Sequence, residues 1–245
     1  MAMNMPLQRG LMSNITFIIT SPYYDSGIKS LGSKSIYPIR KNTILEKQHK
    51  AIKQFCAKNQ YEILLINSID HNKTAKFIES KRLNLEYIYL NNDNINHAGS
   101  FLRGLELAKY ETIVTIDNGL IVSQEAIKTI IEKNCDADIN IGCVGNKHKQ
   151  SQDLEIGCVT NGSVVNNIFF GLDNKFMGIT RINQKTKQFI LNEFNFAQDR
   201  NKFLFEIINQ CIAKELICKK TEIKSKDSHL IFNKKTLQQY TGGEE

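Results

Sequence analysis

The chain has 245 residues, 41% hydrophobic and 23% charged, which is ordinary globular usage and excludes a mainly disordered state. Mean hydropathy is −0.32, and no apolar run approaches the ~20 residues of a membrane span; with no signal-peptide pattern over Met1 to Arg9, the expectation is a cytoplasmic protein without a membrane partner. Thirty-two Lys and Arg against 25 Asp and Glu give a net charge of +7, a balance that suits a polyanionic partner, and a nucleoside triphosphate is one as much as a nucleic acid is.

Ile15 to Thr20 (ITFIIT) is a short β-branched run, as a buried parallel strand requires. A polar loop follows from Ser21 to Ser35. Thr43 and Glu46 form a capping box that opens a helix reaching about Lys58. Tyr61 to Ile66 is the second strand, about Lys73 to Arg82 a helix, and Leu85 to Leu90 the third strand. After the loop NNDNINH a helix starts near Ala98, with Phe101, Leu102, Leu105 and Ala108 on one face. Thr112 to Ile116 is the fourth strand and ends at Asp117, where Asn118-Gly119 is a turn dipeptide. Ser123 caps the next helix, whose Ile127, Ile130 and Ile131 face inward. Four such alternations predict an α/β fold, a doubly wound and mostly parallel sheet of Rossmann-like type.

From about Asp138 the pattern becomes α+β. IGCVGN, EIGCVTNGSVVNNIFFGL and KFMGITRI are strand-like, and Asn161-Gly162 marks a hairpin. An amphipathic helix holds Leu204, Ile207, Ile208 and Cys211; a strand (ICKKTEI) and a helix around Lys234 to Tyr240 follow. No composition shift separates the halves, so residues 1–245 read as one domain: 1–137 and a C-terminal extension, 138–235, of the same sheet, with a flexible tail over 236–245. The six cysteines lack C-x-x-C spacing and read as reduced, mostly buried thiols.

Ligands of open α/β sheets bind beyond the carboxyl ends of the strands. The loop after strand one, SGIKSLGSKSIYPI, offers Gly27 and Gly32 for close backbone approach and Lys29 and Lys34 as point charges for phosphate. Its spacing is neither a Walker A loop nor a dinucleotide fingerprint. His97 reads as a polar residue at a helix N-terminus.

The segment K-S-L-G-S-K-S-I-Y-P-I, followed by the T-I-L-E-x-Q helix, resembles the opening of the nucleotidyltransferases that make nucleotide-sugars and CDP-choline, over about Ile15 to Ile130. Those enzymes have a glycine-rich loop with a basic residue, a P-K-P-L-x-P-I segment and a G-K-x-L-[IL]-E-x-Q helix on a GT-A-like fold. The resemblance makes 1–137 the nucleotide-binding half and 138–235 the acceptor half. It implies that Lys34 contacts triphosphate, with Gly27 and Lys29 in the phosphate loop. Asn96 and Ser100 of N-H-A-G-S would approach the nucleobase. Asp117 would bind Mg²⁺, with Asp227 as a displaced second metal ligand, so that Lys34 and Asp117 are the catalytic pair. The implied reaction transfers a nucleoside monophosphate from a nucleoside triphosphate to a small phosphorylated acceptor, releasing pyrophosphate, with no nucleic-acid partner.

Two departures from that pattern are visible: the loop begins TSPYYDSG in place of A-A-G-x-G, and strand four ends D-N-G in place of G-D. A second resemblance uses the same segments. NSIDHNKTAKFIE with NNDNINHAGSFLRGLELAKYETIVTID is similar to inverting GT-A glycosyltransferases, which hold metal with D-x-D where this chain has D-N-G. The third reading is a nucleotidyltransferase-like module that has lost catalysis and serves as a binding or structural part, as a homo-oligomer or within a viral or other large assembly.

Overall fold

A computed structural model describes residues 14–22, 33–57, 60–91, 95–145, 155–231 and 233–242. β1 (Ile15–Ser21) is buried along its whole length. After a 3₁₀ turn over Lys34–Ile36, β2 (Pro38–Ile39) and β3 (Asn42–Thr43) form a small antiparallel ribbon. The ribbon leads into α1 (Ile44–Phe55), whose capping box is complete: Glu46 N donates to Thr43 Oγ1 at 3.3 Å, and Thr43 N donates to Glu46 Oε2 at 2.8 Å. The helix ends at Phe55, short of the expected Lys58, which lies outside the described residues.

β4 (Tyr61–Asn67), α2 (His71–Lys81), β5 (Glu86–Tyr89), α3 (His97–Leu107) and β6 (Thr112–Asp117) follow as the strand and helix periods predict. β7 (Leu120–Val122) was not foreseen; α4 (Gln124–Glu132) has Ser123 as its N-cap, its Oγ accepting from Ala126 N at 3.1 Å. β8 (Ile139–Gly145), β9 (Ile156–Asn161), β10 (Val164–Phe170) and β11 (Asn174–Ile182) are the strand-like runs of the second half. The Asn161-Gly162 turn joins β9 to β10, with Gly162 at φ 60°. α5 (Gln184–Glu193) and α6 (Phe196–Asp199) were also unforeseen. α7 (Leu204–Ala213), β12 (Cys218–Glu222), β13 (Ser228–Leu230) and α8 (Lys234–Gly242) complete the chain.

One nine-stranded sheet runs β5-β4-β1-β6-β11-β8-β12-β10-β9. β5, β4, β1 and β6 are mutually parallel, and β8 is parallel to β12, while β11 is antiparallel to both neighbours and β10 to its own. Period-two alternation places Ile18, Leu64 and Ile66 in one core with α3 and α7. Ile15, Phe17, Ile19, Ile63 and Leu65 lie in the other core, with α1 and α4. α3 lies close against β1: a Cβ on Gly104 would come within 2.5 Å of Ile18 Cγ2. That approach sets the position of the α3 N-terminus over the sheet's carboxyl edge.

The segment 236–245, expected as a flexible tail, is helical as far as Gly242. Leu237 and Tyr240 pack against a third apolar cluster of Tyr37, Ile39, Ile44, Ile121 and Ile231. Apolar residues of the S-I-Y-P-I segment therefore anchor the chain just after Lys34. Among the described residues no helix is long and apolar enough to cross a membrane.

Candidate functional site

The carboxyl ends of β1, β4 and β6 are tied by short polar side chains. Ser21 Oγ donates to Asn67 Oδ1 at 2.7 Å and lies 3.1 Å from Ser33 Oγ, and Asn118 Nδ2 donates to Ser21 Oγ at 3.0 Å. Ser33 N donates to Asp70 Oδ2 at 3.1 Å. Asp70 stands at the start of α2 with φ 50°, and its carboxylate serves Ser33 instead of capping the helix. These bonds position the residue immediately before Lys34.

Lys34 is only 7% exposed. A Cβ placed on Gly119 would meet Lys34 Cδ at 3.2 Å and Asp117 Oδ1 at 3.1 Å, so lysine stem and carboxylate flank the same glycine. Lys34 and Asp117 are thus brought to one place in the fold. The β6–β7 turn between them is held from behind by Gln48 of α1, whose Nε2 donates to the carbonyls of Asp117 and Leu120, each at 2.8 Å. This is the glutamine of T-I-L-E-x-Q, and the two carbonyls explain why a side-chain amide stands there: its two N–H groups satisfy two acceptors that the turn leaves unpaired.

Asp117 uses its first oxygen locally. Oδ1 accepts from Gly119 N at 2.7 Å, the Asx turn that D-N-G permits. Oδ2 lies 3.4 Å from His97 Nδ1, with side chains 17% and 24% exposed. His97 is therefore a site residue that sequence reading passed over as a helix terminus. Its only local signal was its place directly after the cap Asn96.

Other expected site residues are not brought into the cleft. Asn96 is 6% exposed and caps α3, its Oδ1 accepting from His97 N at 2.8 Å and its Nδ2 donating to Asn201 O at 3.3 Å. Ser100, one turn on, is completely buried and its Oγ has no hydrogen-bond partner among the described residues. Asn96 spends both polar atoms on the cap and on the Asn201 carbonyl, and Ser100 is fully buried in the packing of α3.

Asp227 is placed away from this cleft. β13 runs antiparallel to β7, with Leu230 beside Leu120 and Ser228 beside Val122. Asp227 thus lies at the far end of β7 from Asp117, where its Oδ1 accepts from Ser123 Oγ at 3.3 Å. It lines a separate groove of about 930 Å³ with Lys47, Lys226 and Tyr240. Gly27 and Lys29 lie outside the described residues.

Among the described residues no three His, Cys, Asp or Glu side chains converge as a metal cage. The donor set fits Mg²⁺ only as an ion brought largely by its substrate: Asp117 Oδ2 is one carboxylate oxygen, and Mg²⁺ commonly takes one or two carboxylates with phosphates and water.

Residues 39–203 match the family model for glycosyl transferase family 2, two thirds of the chain. The chain belongs to glycosyl transferase family 2. The match begins after Lys34, so the segment that holds Lys34 stands outside it. No curated protein matches the chain in sequence. In structure this family member is similar to a nucleoside-diphosphate-sugar pyrophosphorylase from Vibrio cholerae, with TM-score 0.70 and 13% identity over 93% of this chain and 99% of that one. It is similar to the inositol-1-phosphate CTP transferase of T. maritima (TM-score 0.70, 11% identity, 96% and 98% covered). It is also similar to the CTP:phosphocholine cytidylyltransferase of Streptococcus pneumoniae (TM-score 0.68, 14% identity, 95% and 99% covered). Identities this low establish a shared fold, the GT-A-like fold that the sequence resemblance implied, and fold alone does not fix activity.

Proposed function

We propose that the chain is a nucleotidyltransferase that binds a nucleoside triphosphate at the carboxyl edge of β1, β4 and β6 and transfers its nucleoside monophosphate to a small phosphorylated acceptor. The supporting observation is Lys34, a lysine buried to 7% exposure beside the Gly119 turn. Its stem and the Asp117 carboxylate flank the same glycine at the carboxyl edge of the sheet, where ligands of open α/β sheets bind, and an ammonium is a point charge for phosphate. A phosphate group suits this place. Lys34 grips the triphosphate and offsets charge on the departing pyrophosphate. Bound Mg²⁺ would add charge neutralisation at the phosphates, with Asp117 Oδ2 as its protein oxygen. A phosphorylated acceptor is already an anion near neutral pH and requires no strong base.

The family match favours a second reading, glycosyl transfer from a nucleotide-sugar. The two differ in ligand and product. In thermal shift, a ligand at ~100 times its dissociation constant adds about 2.7 kcal/mol of stability. The expected result is a shift with at least one nucleoside triphosphate, enlarged by Mg²⁺, followed by pyrophosphate release when an acceptor phosphate is supplied. A shift confined to nucleotide-sugars supports glycosyl transfer, and no shift with either supports the non-catalytic module.

Asp117→Asn separates the turn role from the metal role. The amide oxygen still accepts from Gly119 N, so stability is expected to change by less than about 1 kcal/mol. The Mg²⁺-dependent part of triphosphate binding should disappear. Retention of the full Mg²⁺ effect in the variant, measured by calorimetric titration with and without EDTA, would remove Asp117 from the metal site.

A further inference from the structure

Four of the six cysteines, Cys143, Cys158, Cys211 and Cys218, share the core beneath α3 and α7. Two of them touch. Cys143 Sγ on β8 and Cys158 Sγ on β9 are 3.6 Å apart. The contact follows from strand register: β8 and β9 both pair with the start of β11, where Asn174 stands beside Gly145 and Cys158, and Phe176 stands beside Cys143. Each of the two residues is 2% exposed. β9 pairs with β10 along its length and with β11 through Gly157 and Cys158, so Cys158 is held between two strands.

The two thiols are not equivalent. Their mutual contact and burial hold the Cys143 thiol well above its ordinary range, while the same contact lowers that of Cys158. The ammonium of Lys220, whose Nζ donates to Asn174 Oδ1 at 2.9 Å, favours the thiolate at both. Burial instead pushes Cys211 up to about 12 and raises Cys218 strongly. The 3.6 Å contact places each sulfur within reach of the other, as a nucleophile and its resolving partner must be.

We propose that Cys143 and Cys158 form an oxidisable dithiol that closes to an intrachain disulfide when the protein meets hydrogen peroxide. The Cys158 thiolate attacks one peroxide oxygen, the O–O bond breaks, and hydroxide leaves and is protonated to water, giving a sulfenic acid at Cys158. Cys143 sulfur then attacks Cys158 sulfur, the S–O bond breaks, and a second water leaves with the Cys143 proton. Two thiols lose two protons and two electrons, and one peroxide becomes two waters. The sulfurs have to close from 3.6 Å to about 2.05 Å. The product staples β8 to β9 across the start of β11. The inference is independent of the proposed function, because none of these residues lies at the Lys34–Asp117 cleft.

The test uses the folded full chain carrying Cys135→Ser, which removes the exposed cysteine and with it intermolecular coupling. After brief peroxide treatment, the thiols are alkylated and the protein is mapped by mass spectrometry without reduction. The expected result is a Cys143–Cys158 linked peptide about 2 Da lighter than the reduced pair. Dithiothreitol should reverse it, and Cys211 and Cys218 should remain alkylatable. Cys143→Ala should stop the link and leave a dimedone-trappable sulfenic acid at Cys158; Cys158→Ala should remove both. Cys143→Val serves the same purpose if the alanine variant does not fold. Failure of the folded Cys135→Ser chain to link these two residues overturns the proposal. So does linkage only after unfolding in urea, or linkage of either residue to Cys218.

Discussion

Replacing Lys34 by methionine is expected to lower affinity for a nucleoside triphosphate by about 10- to 100-fold while leaving affinity for the nucleoside unchanged. Methionine keeps an unbranched stem beside Gly119 and removes only the charge, so the loss measures the ammonium–phosphate contact. A hydrogen bond to a charged group contributes about 1.5–3 kcal/mol, and about 1.4 kcal/mol is tenfold in affinity. Calorimetric titration with triphosphate, diphosphate and nucleoside reads the ratio directly. Equal losses for nucleoside and triphosphate would mean that the substitution damaged the cleft as a whole, and an unchanged triphosphate affinity would place the phosphates elsewhere. The structural module predicts a third outcome, no measurable binding in the parent protein.

Gly178→Ala is expected to be the more damaging change to the fold, and it should reach the site as well. Gly178 lies within β11 at φ 73°, and a Cβ there would stand 2.8 Å from Asp117 Cβ. Positive φ costs an alanine about 1 kcal/mol or more, and the contact with β6 adds to it because two central strands cannot separate freely. A loss of about 2–4 kcal/mol is the expectation, read from the denaturant midpoint at constant m. Gly162→Ala is the matched control: it has φ 60° and nothing within 4 Å of the added methyl, so it should cost about 1 kcal/mol alone. The difference between the variants isolates the pressure on Asp117. Nucleotide affinity should fall in Gly178→Ala and stay constant in Gly162→Ala; equal losses of stability in the two would refute the close approach.

The parts of the fold that were legible in the sequence are those written by neighbouring residues. ITFIIT could only be a strand buried on both faces. Thr43 and Glu46 are three residues apart and cap α1 from within one turn. Asn161-Gly162 makes its hairpin locally. Asp117-Asn118-Gly119 likewise announced a turn at the end of β6, and the same geometry gives Asp117 its bond to Gly119 N. Lys34 was singled out because its segment resembles the opening of the nucleotidyltransferases.

Tertiary structure alone decided which of these residues meet. Gln48 reaches carbonyls 69 and 72 residues away, and no local period records that an amide at one helix position will close a turn on another strand. His97 meets Asp117 because Gly104 lets α3 settle onto Ile18, which carries the helix N-terminus to the end of β6. Asn96 and Ser100 sit in a motif that suggested a base pocket; the α3 cap takes up the polar atoms of Asn96, and the packing of α3 buries Ser100. Asp227 follows an apparent displaced motif but is carried to the far end of β7 by the antiparallel pairing of two three-residue strands. Such strands are too short to leave a period of their own, and their pairing is fixed by the third apolar cluster, with α8 packed against it. The sequence by itself therefore determined most of the elements. Long-range packing decided the carboxylate's partners, because a side chain's free valences depend on what the rest of the chain brings within hydrogen-bond distance.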